Sequence, residues 1–269
     1  MIEAMLNYAF MQRALTAALL ASILSGIIGA VIVEKKLVSM SGGIAHTSFG
    51  GIGLGYLINW PPIITGMIVA VLASISLPVI KRKTDTASDT LIGMFWASGM
   101  ALGILFIGLT PGYPPDMTSY LFGDILTVSN LYLALIAVLC VFVVIIFVSM
   151  FNYWKAYLFD EKYLHVIGVK TSFFERLLYI LIALSIVLLI KVVGIILAIA
   201  MLTVPSAIAK LYTKSLKIQM ISASIISLMT SIGGLTLSYY FNIPSGATII
   251  LLTVLVYIVA YFTRKMRTV

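Results

Sequence analysis

The stretch LLYILIALSIVLLIKVVGIILAIAMLTVPSAIA, Leu177 to Ala209, decides the fold. It runs for 33 residues with one charge, Lys191. A straight helix of that length would measure about 50 Å, against a bilayer hydrocarbon core of about 30 Å. The run must tilt strongly or break, and Lys191, Gly194 and Pro205 offer the places. We expect a full span to about Val193, a break at Gly194, and a short returning helix ending near Pro205. Broken or re-entrant helices are tolerated in membranes where they line a cavity, which makes this stretch a candidate for pathway lining. One long kinked helix is the alternative.

The rest of the chain has the same character. Of its 269 residues 62% are hydrophobic and 10% charged, where soluble domains hold roughly 45–50% and about 25%. That excludes a disordered chain, a secreted disulfide scaffold and a water-soluble enzyme. Further apolar runs cover Leu15–Val33, Leu37–Ile58, Ile63–Ile80, Leu91–Leu109, Leu131–Met150, Ile218–Phe241 and Ala247–Phe262. A span needs about 20 such residues. The expectation is an all-α polytopic membrane protein with eight to nine transmembrane helices, one unit over residues 1–269. The single Cys140 excludes an internal disulfide or a CxxC metal site.

The net charge of +8 is not a nucleic-acid signal, because the basic residues lie in short clusters between apolar runs with no basic face. The segments holding Lys35–Lys36, Lys81–Lys83, Lys155–Arg176, Lys210–Lys217 and Arg264–Arg267 contain fifteen of the seventeen Lys and Arg residues. The intervening segments, Asn59–Pro62, Thr110–Asp124 and Phe241–Pro244, are nearly free of them. The positive-inside rule puts the basic loops and the carboxyl terminus inside and the amino terminus outside. This alternation requires Leu177–Ala209 to cross twice. Lys191 can snorkel to the outer interface. Trp60 and Trp154 fit interfacial belts, and Trp96 lies inside a span.

There is no G-x-x-x-x-G-K-[ST], H-E-x-x-H or G-x-S-x-G, so the chain does not bind and hydrolyse ATP by itself and is not read as an enzyme. None of the nine acidic residues lies mid-span, which argues weakly against proton coupling. The sharpest polar feature is Ser41-Gly42-Gly43-Ile44-Ala45-His46-Thr47-Ser48-Phe49-Gly50-Gly51-Ile52-Gly53. His46 lies near the bilayer midplane, where an ionisable group is a functional hypothesis by default. Gly42 and Gly50 share its face. A neutral imidazole is a common ligand for zinc and other divalent transition metals. A helix packed closely through small residues, with His46 hydrogen-bonded to a neighbour, explains the pattern equally well.

A polar segment occupies about 152–176. Within it Asp160 suits an N-cap, Glu161 the first turn and Gly168 the C′ position. Tyr163, Val166 and Ile167 follow helical spacing, giving a short amphipathic helix. It would either dock into a partner's groove or lie on the bilayer surface. In Thr110–Leu126, Asp116 and Asp124 would attract cations to an outer mouth or simply cap a loop.

Four segments, in order, resemble the permease subunits of ABC-type zinc and manganese importers. They are Met40–His46 with Gly50 and Ile52; Tyr120–Leu126; Phe159–Val169; and Lys191–Leu197 through Met201–Ala207. Together they run through nearly the whole chain. The resemblance implies a type II ABC importer fold and a homodimer with the metal path on its axis. It implies a cytoplasmic ATPase partner, an extracytoplasmic metal-binding protein and a place in the cell membrane. It implies Zn2+ or Mn2+ as cargo, with no cofactor bound by this chain. The family histidine corresponds to His46 and the coupling role to Asp160–Gly168; Asp124 is a second metal candidate on its own carboxylate, apart from the resemblance. Many members carry Asp four residues before the histidine, where this chain has Gly42. A secondary transporter or channel working without an ATPase is the alternative.

Overall fold

The computed structural model describes residues 7–84, 86–112, 121, 123 and 125–267. Eleven α-helices and one 3-10 turn make up the described chain. They are α1 (Ala9–Glu34), α2 (Val38–Leu57), α3 (Pro62–Lys83), α4 (Ser88–Leu109), the turn Ile125–Thr127, and α5 (Asn130–Ser149). Next come α6 (Phe151–Phe159), α7 (Glu161–Val166), α8 (Thr171–Val193), α9 (Ile195–Tyr212), α10 (Leu216–Phe241) and α11 (Ser245–Arg267). Eight of them are long and apolar enough to cross a membrane. The ninth long helix, α2, has 20 residues. Its glycines dilute its apolar character, yet it is among the most enclosed.

α1 and α8 form the centre. Each is buried over 67% of its most apolar stretch, against 22% for α4 and α11 at the periphery. Outward from the bundle project Leu72, Val138, Val148 and Leu251, all exposed. In water these would form adhesive patches; in lipid tails they cost nothing. Inside, small residues bring backbones together. Gly26 of α1 lies against Ser224 of α10, and Gly29 against Leu202 and Ser206 of α9. The Ser25 and Ser227 hydroxyls meet at 3.2 Å.

Three ion pairs gather at one end of the bundle: Glu34 with Lys210 at 2.9 Å, Lys35 with Glu161, and Arg82 with Glu175. The Tyr212 hydroxyl donates to the Ala260 carbonyl at 2.7 Å beside them. These contacts bring together four of the basic segments named from the sequence, with Tyr212 reaching the chain just before the fifth, so one end of the bundle is the basic end. Because Glu175 starts α8 there and Lys210 nearly ends α9 there, the chain reverses at Gly194. With 23 and 18 residues, the two helices are about 34 and 27 Å long. Both are long and apolar enough to cross a membrane, in opposite directions.

Gly194 has φ 85° and ψ 164°, a region open essentially to glycine alone. Its N–H donates to the Ile190 carbonyl at 2.8 Å, and its carbonyl accepts from Ala198 N–H at 3.0 Å. The turn therefore leaves neither of its own backbone groups unpaired. Pro205 corrects the expectation. It is not a break: α9 passes through it to Tyr212, so this segment is a span rather than a short re-entrant helix. The ring costs one backbone bond, to the Met201 carbonyl. Close packing of Leu202 and Ser206 on Gly29 holds the helix through it, as neighbours do for membrane prolines.

Gly194→Ala should destabilise the fold by about 1–3 kcal/mol, lowering the midpoint of thermal unfolding in detergent. Gly108→Ala, where an added Cβ meets nothing within 4 Å, should leave that midpoint unchanged.

Candidate functional site

The site begins with glycines. A Cβ at Gly50 would lie 2.9 Å from the Gly99 carbonyl oxygen, and one at Gly53 2.6 Å from that of Gly103. A Cβ at Gly99 would strike the Thr47 backbone. α2 and α4 thus touch backbone to backbone. The Thr47 hydroxyl sits 2.7 Å from the Gly43 carbonyl and 3.0 Å from that of Phe95, joining the two helices beside this contact.

From Met40 to Gly53 every residue is buried except His46. Its imidazole stacks on the Trp96 indole of α4, with ring centroids 4.2 Å apart and planes at 9°. Its Nδ1 is buried with no hydrogen-bond partner among the described residues. The two glycines sharing its face do different things. Gly50 makes the helix contact, whereas a Cβ at Gly42 would meet nothing within 4 Å. A side chain would fit at position 42, so what is missing there is a donor group rather than space. The described residues contain no cluster of three or more His, Cys, Asp or Glu side chains able to hold a metal. Of Gly42, His46 and Gly50, which share this helix face, His46 alone is a metal-ligating type. Asp124, and Asp116 with it, lie outside the described residues.

The second element forms at the basic end. The Asp160 carboxylate accepts from Tyr163 N–H at 3.1 Å, capping α7. Gly168, with φ 74°, closes it: its N–H reaches the His165 carbonyl, and Val169 N–H the Leu164 carbonyl at 2.9 Å. This is the paired C-terminal closure that a glycine at C′ permits. Leu164 is fully buried, while Tyr163, Val166 and Ile167 are 55%, 84% and 43% exposed. The apolar stripe read from the spacing thus faces away from the protein. Glu161 pairs with Lys35 in the turn that leads into α2, and the Lys35 ammonium lies 4.0 Å from the centre of the Tyr157 ring. Burial, with help from Tyr179 and the Glu175 carboxylate, pushes the Tyr157 hydroxyl well up, so it stays protonated.

One tryptophan sits otherwise than its sequence position suggests. Trp154 is no interfacial anchor. It is fully buried, stacked on Phe147 at 4.6 Å and edge-on to Phe174 at 5.2 Å, where it braces α6 against α5 and α8. Trp96 reads from the sequence as a residue within a span; only the fold puts it on His46. Lys191 lies 5.2 Å from the Tyr132 ring centre, next to the turn at Gly194. Gly123 of the segment Tyr120–Leu126 packs on Val193 and Gly194, so two of the segments quoted above meet there.

Residues 7–264 match the model of the ABC 3 transport family. The chain is 40% identical over 268 residues to an uncharacterized membrane protein of Synechocystis, covering 98% of this chain and 95% of that one. It is 31% identical to the manganese import system permease protein ScaB of Streptococcus gordonii, covering 97% and 94%. Its structure matches a chain of PsaBC from Streptococcus pneumoniae, solved in complex with Fab, with a TM-score of 0.88 and 29% identity. That match covers 97% of this chain and 94% of the other. A transporter membrane subunit is thus the class that this fold defines. The chain belongs to the ABC-3 transport family.

Gly99→Ala should destabilise the bundle by about 1–3 kcal/mol through overpacking, seen as a lower thermal midpoint. Gly93→Ala on the same helix, where an added Cβ meets nothing within 4 Å, should have no such effect.

Proposed function

We propose that the whole chain acts as one permease domain, the membrane subunit of an ATP-driven importer that moves a divalent transition metal, zinc or manganese, across the cell membrane. The observation that carries this reading is His46: a mid-span imidazole, its Nδ1 buried with no partner among the described residues, in a stretch from Met40 to Gly53 whose other residues are all buried. The manganese import named for ScaB supports the class of cargo. Two copies in a homodimer would bring two imidazoles to one path. Neutral nitrogen ligands suit zinc better than manganese, which prefers oxygen. With Gly42 supplying no carboxylate, binding is weak, and weak binding is what a passage site needs.

The basic end faces the cytoplasm in this reading, following the positive-inside rule, and the start of α1 faces outward. Energy comes from a separate ATPase chain that docks on the exposed stripe of Tyr163, Val166 and Ile167. A helix-in-groove contact reads such a stripe as its anchors. Metal arrives from an extracytoplasmic binding protein at the opposite end. Asp160 and Gly168 shape the docking helix, and Glu161 links it through Lys35 to the start of α2.

His46→Ala should lower metal uptake in proteoliposomes by roughly tenfold or more while dimer assembly and ATPase binding persist. Unchanged uptake would make His46 a packing residue. Tyr163→Ala combined with Ile167→Ala should abolish co-purification of the ATPase and ATP-driven uptake together, without changing the folded yield of the permease. Intact association would show that the stripe lies on lipid instead.

A further inference from the structure

We propose that Trp96 is a positioning residue for His46, holding its imidazole at a fixed angle for the passing metal ion. This rests on the reading of His46 as the passage ligand and adds to it a second side chain, on a different helix. The two rings are nearly parallel, 9° apart, at a centroid distance of 4.2 Å, which is closer than most aromatic pairs. Their meeting is a consequence of backbone contact: Gly99 sits against Thr47 and the His46 carbonyl, and the Thr47 hydroxyl reaches the Phe95 carbonyl at 3.0 Å. Each of these contacts lies within three residues of the stacked pair.

The surroundings explain why a stacking partner matters. Usually a ligating histidine is oriented by a hydrogen bond from its second nitrogen. Here Nδ1 has no such partner among the described residues. Position 42, one turn away, offers no donor atom, and both Gly42 and Gly93 leave open space beside the pair. A lone imidazole bordered by hollows would turn about its side-chain bonds, and a site with one ligand per chain has nothing else to set its geometry. The indole plate removes that freedom. Being 45% exposed itself, Trp96 does this from the accessible side, next to where an ion would pass.

The test uses the permease reconstituted with its ATPase and binding protein in liposomes, measuring ATP-dependent uptake of zinc and of manganese. Trp96→Leu should raise the metal concentration for half-maximal uptake roughly fivefold or more with a smaller change in maximal rate. Trp96→Phe, which keeps an aromatic plate, should restore most of the loss. Indole emission should change on adding the transported metal, and that change should vanish in Trp96→Phe and in His46→Ala. A Trp96→Leu variant matching the parent while His46→Ala is inactive would overturn the positioning role and leave the passage role standing. Active His46→Ala would overturn both. Should Trp96→Leu fail to assemble, the emission readout decides: no metal-dependent change attributable to Trp96 refutes the proposal.

Discussion

The backbone contact between α2 and α4 is the constraint on which the candidate site depends. Lipid tails give apolar helices no reason to leave them, so helices associate through close van der Waals contact and hydrogen bonds. Gly50 and Gly53 on one helix and Gly99 and Gly103 on the other allow that approach. A helix so rich in glycine would be poor in water. In this bundle the same glycines let α2 sit deep, with His46 as the only residue left unburied between Met40 and Gly53. The contact also fixes the register that stacks His46 on Trp96.

The basic end supplies a different kind of connection. Exposed ion pairs contribute little to stability, so Lys35–Glu161 and Arg82–Glu175 matter for where they hold the chain rather than for how strongly. Glu161 belongs to the capped helix with the exposed apolar stripe, and Lys35 to the turn that opens directly into α2. A displacement of α7 is therefore one ion pair and a few helical turns from His46. At the opposite end, the Gly194 reversal carries Gly123 against it, closing the bundle beside Lys191 and Tyr132.

Much of this was legible in the residues. Run lengths gave the membrane-length helices, and Gly194 marked the reversal. Asp160 and Gly168 announced α7 because capping is a local matter of a few bonds. What the sequence could not show depends on neighbours distant in the chain. Pro205 reads as a helix end by local chemistry, but packing on Gly29 carries α9 through it. Trp154 has the position of an interfacial anchor, but Phe147 and Phe174 enclose it. By spacing alone Gly42 and Gly50 are equivalent neighbours of His46. In three dimensions Gly50 is a contact and Gly42 a hollow, and no periodicity distinguishes the two. Trp96 gave no signal, since its partner lies fifty residues away on another helix.

In the proposed function, metal crosses this bundle only when a partner chain hydrolyses ATP. The direct measurement is zinc and manganese accumulation in liposomes holding the permease, its ATPase and its binding protein, with and without ATP inside the complex's nucleotide-accessible side. At least one of these metals should accumulate in a way that requires ATP and ceases when the ATPase is omitted. Metal entry through the permease alone, without ATP, would contradict the proposed function and identify a channel or secondary transporter instead.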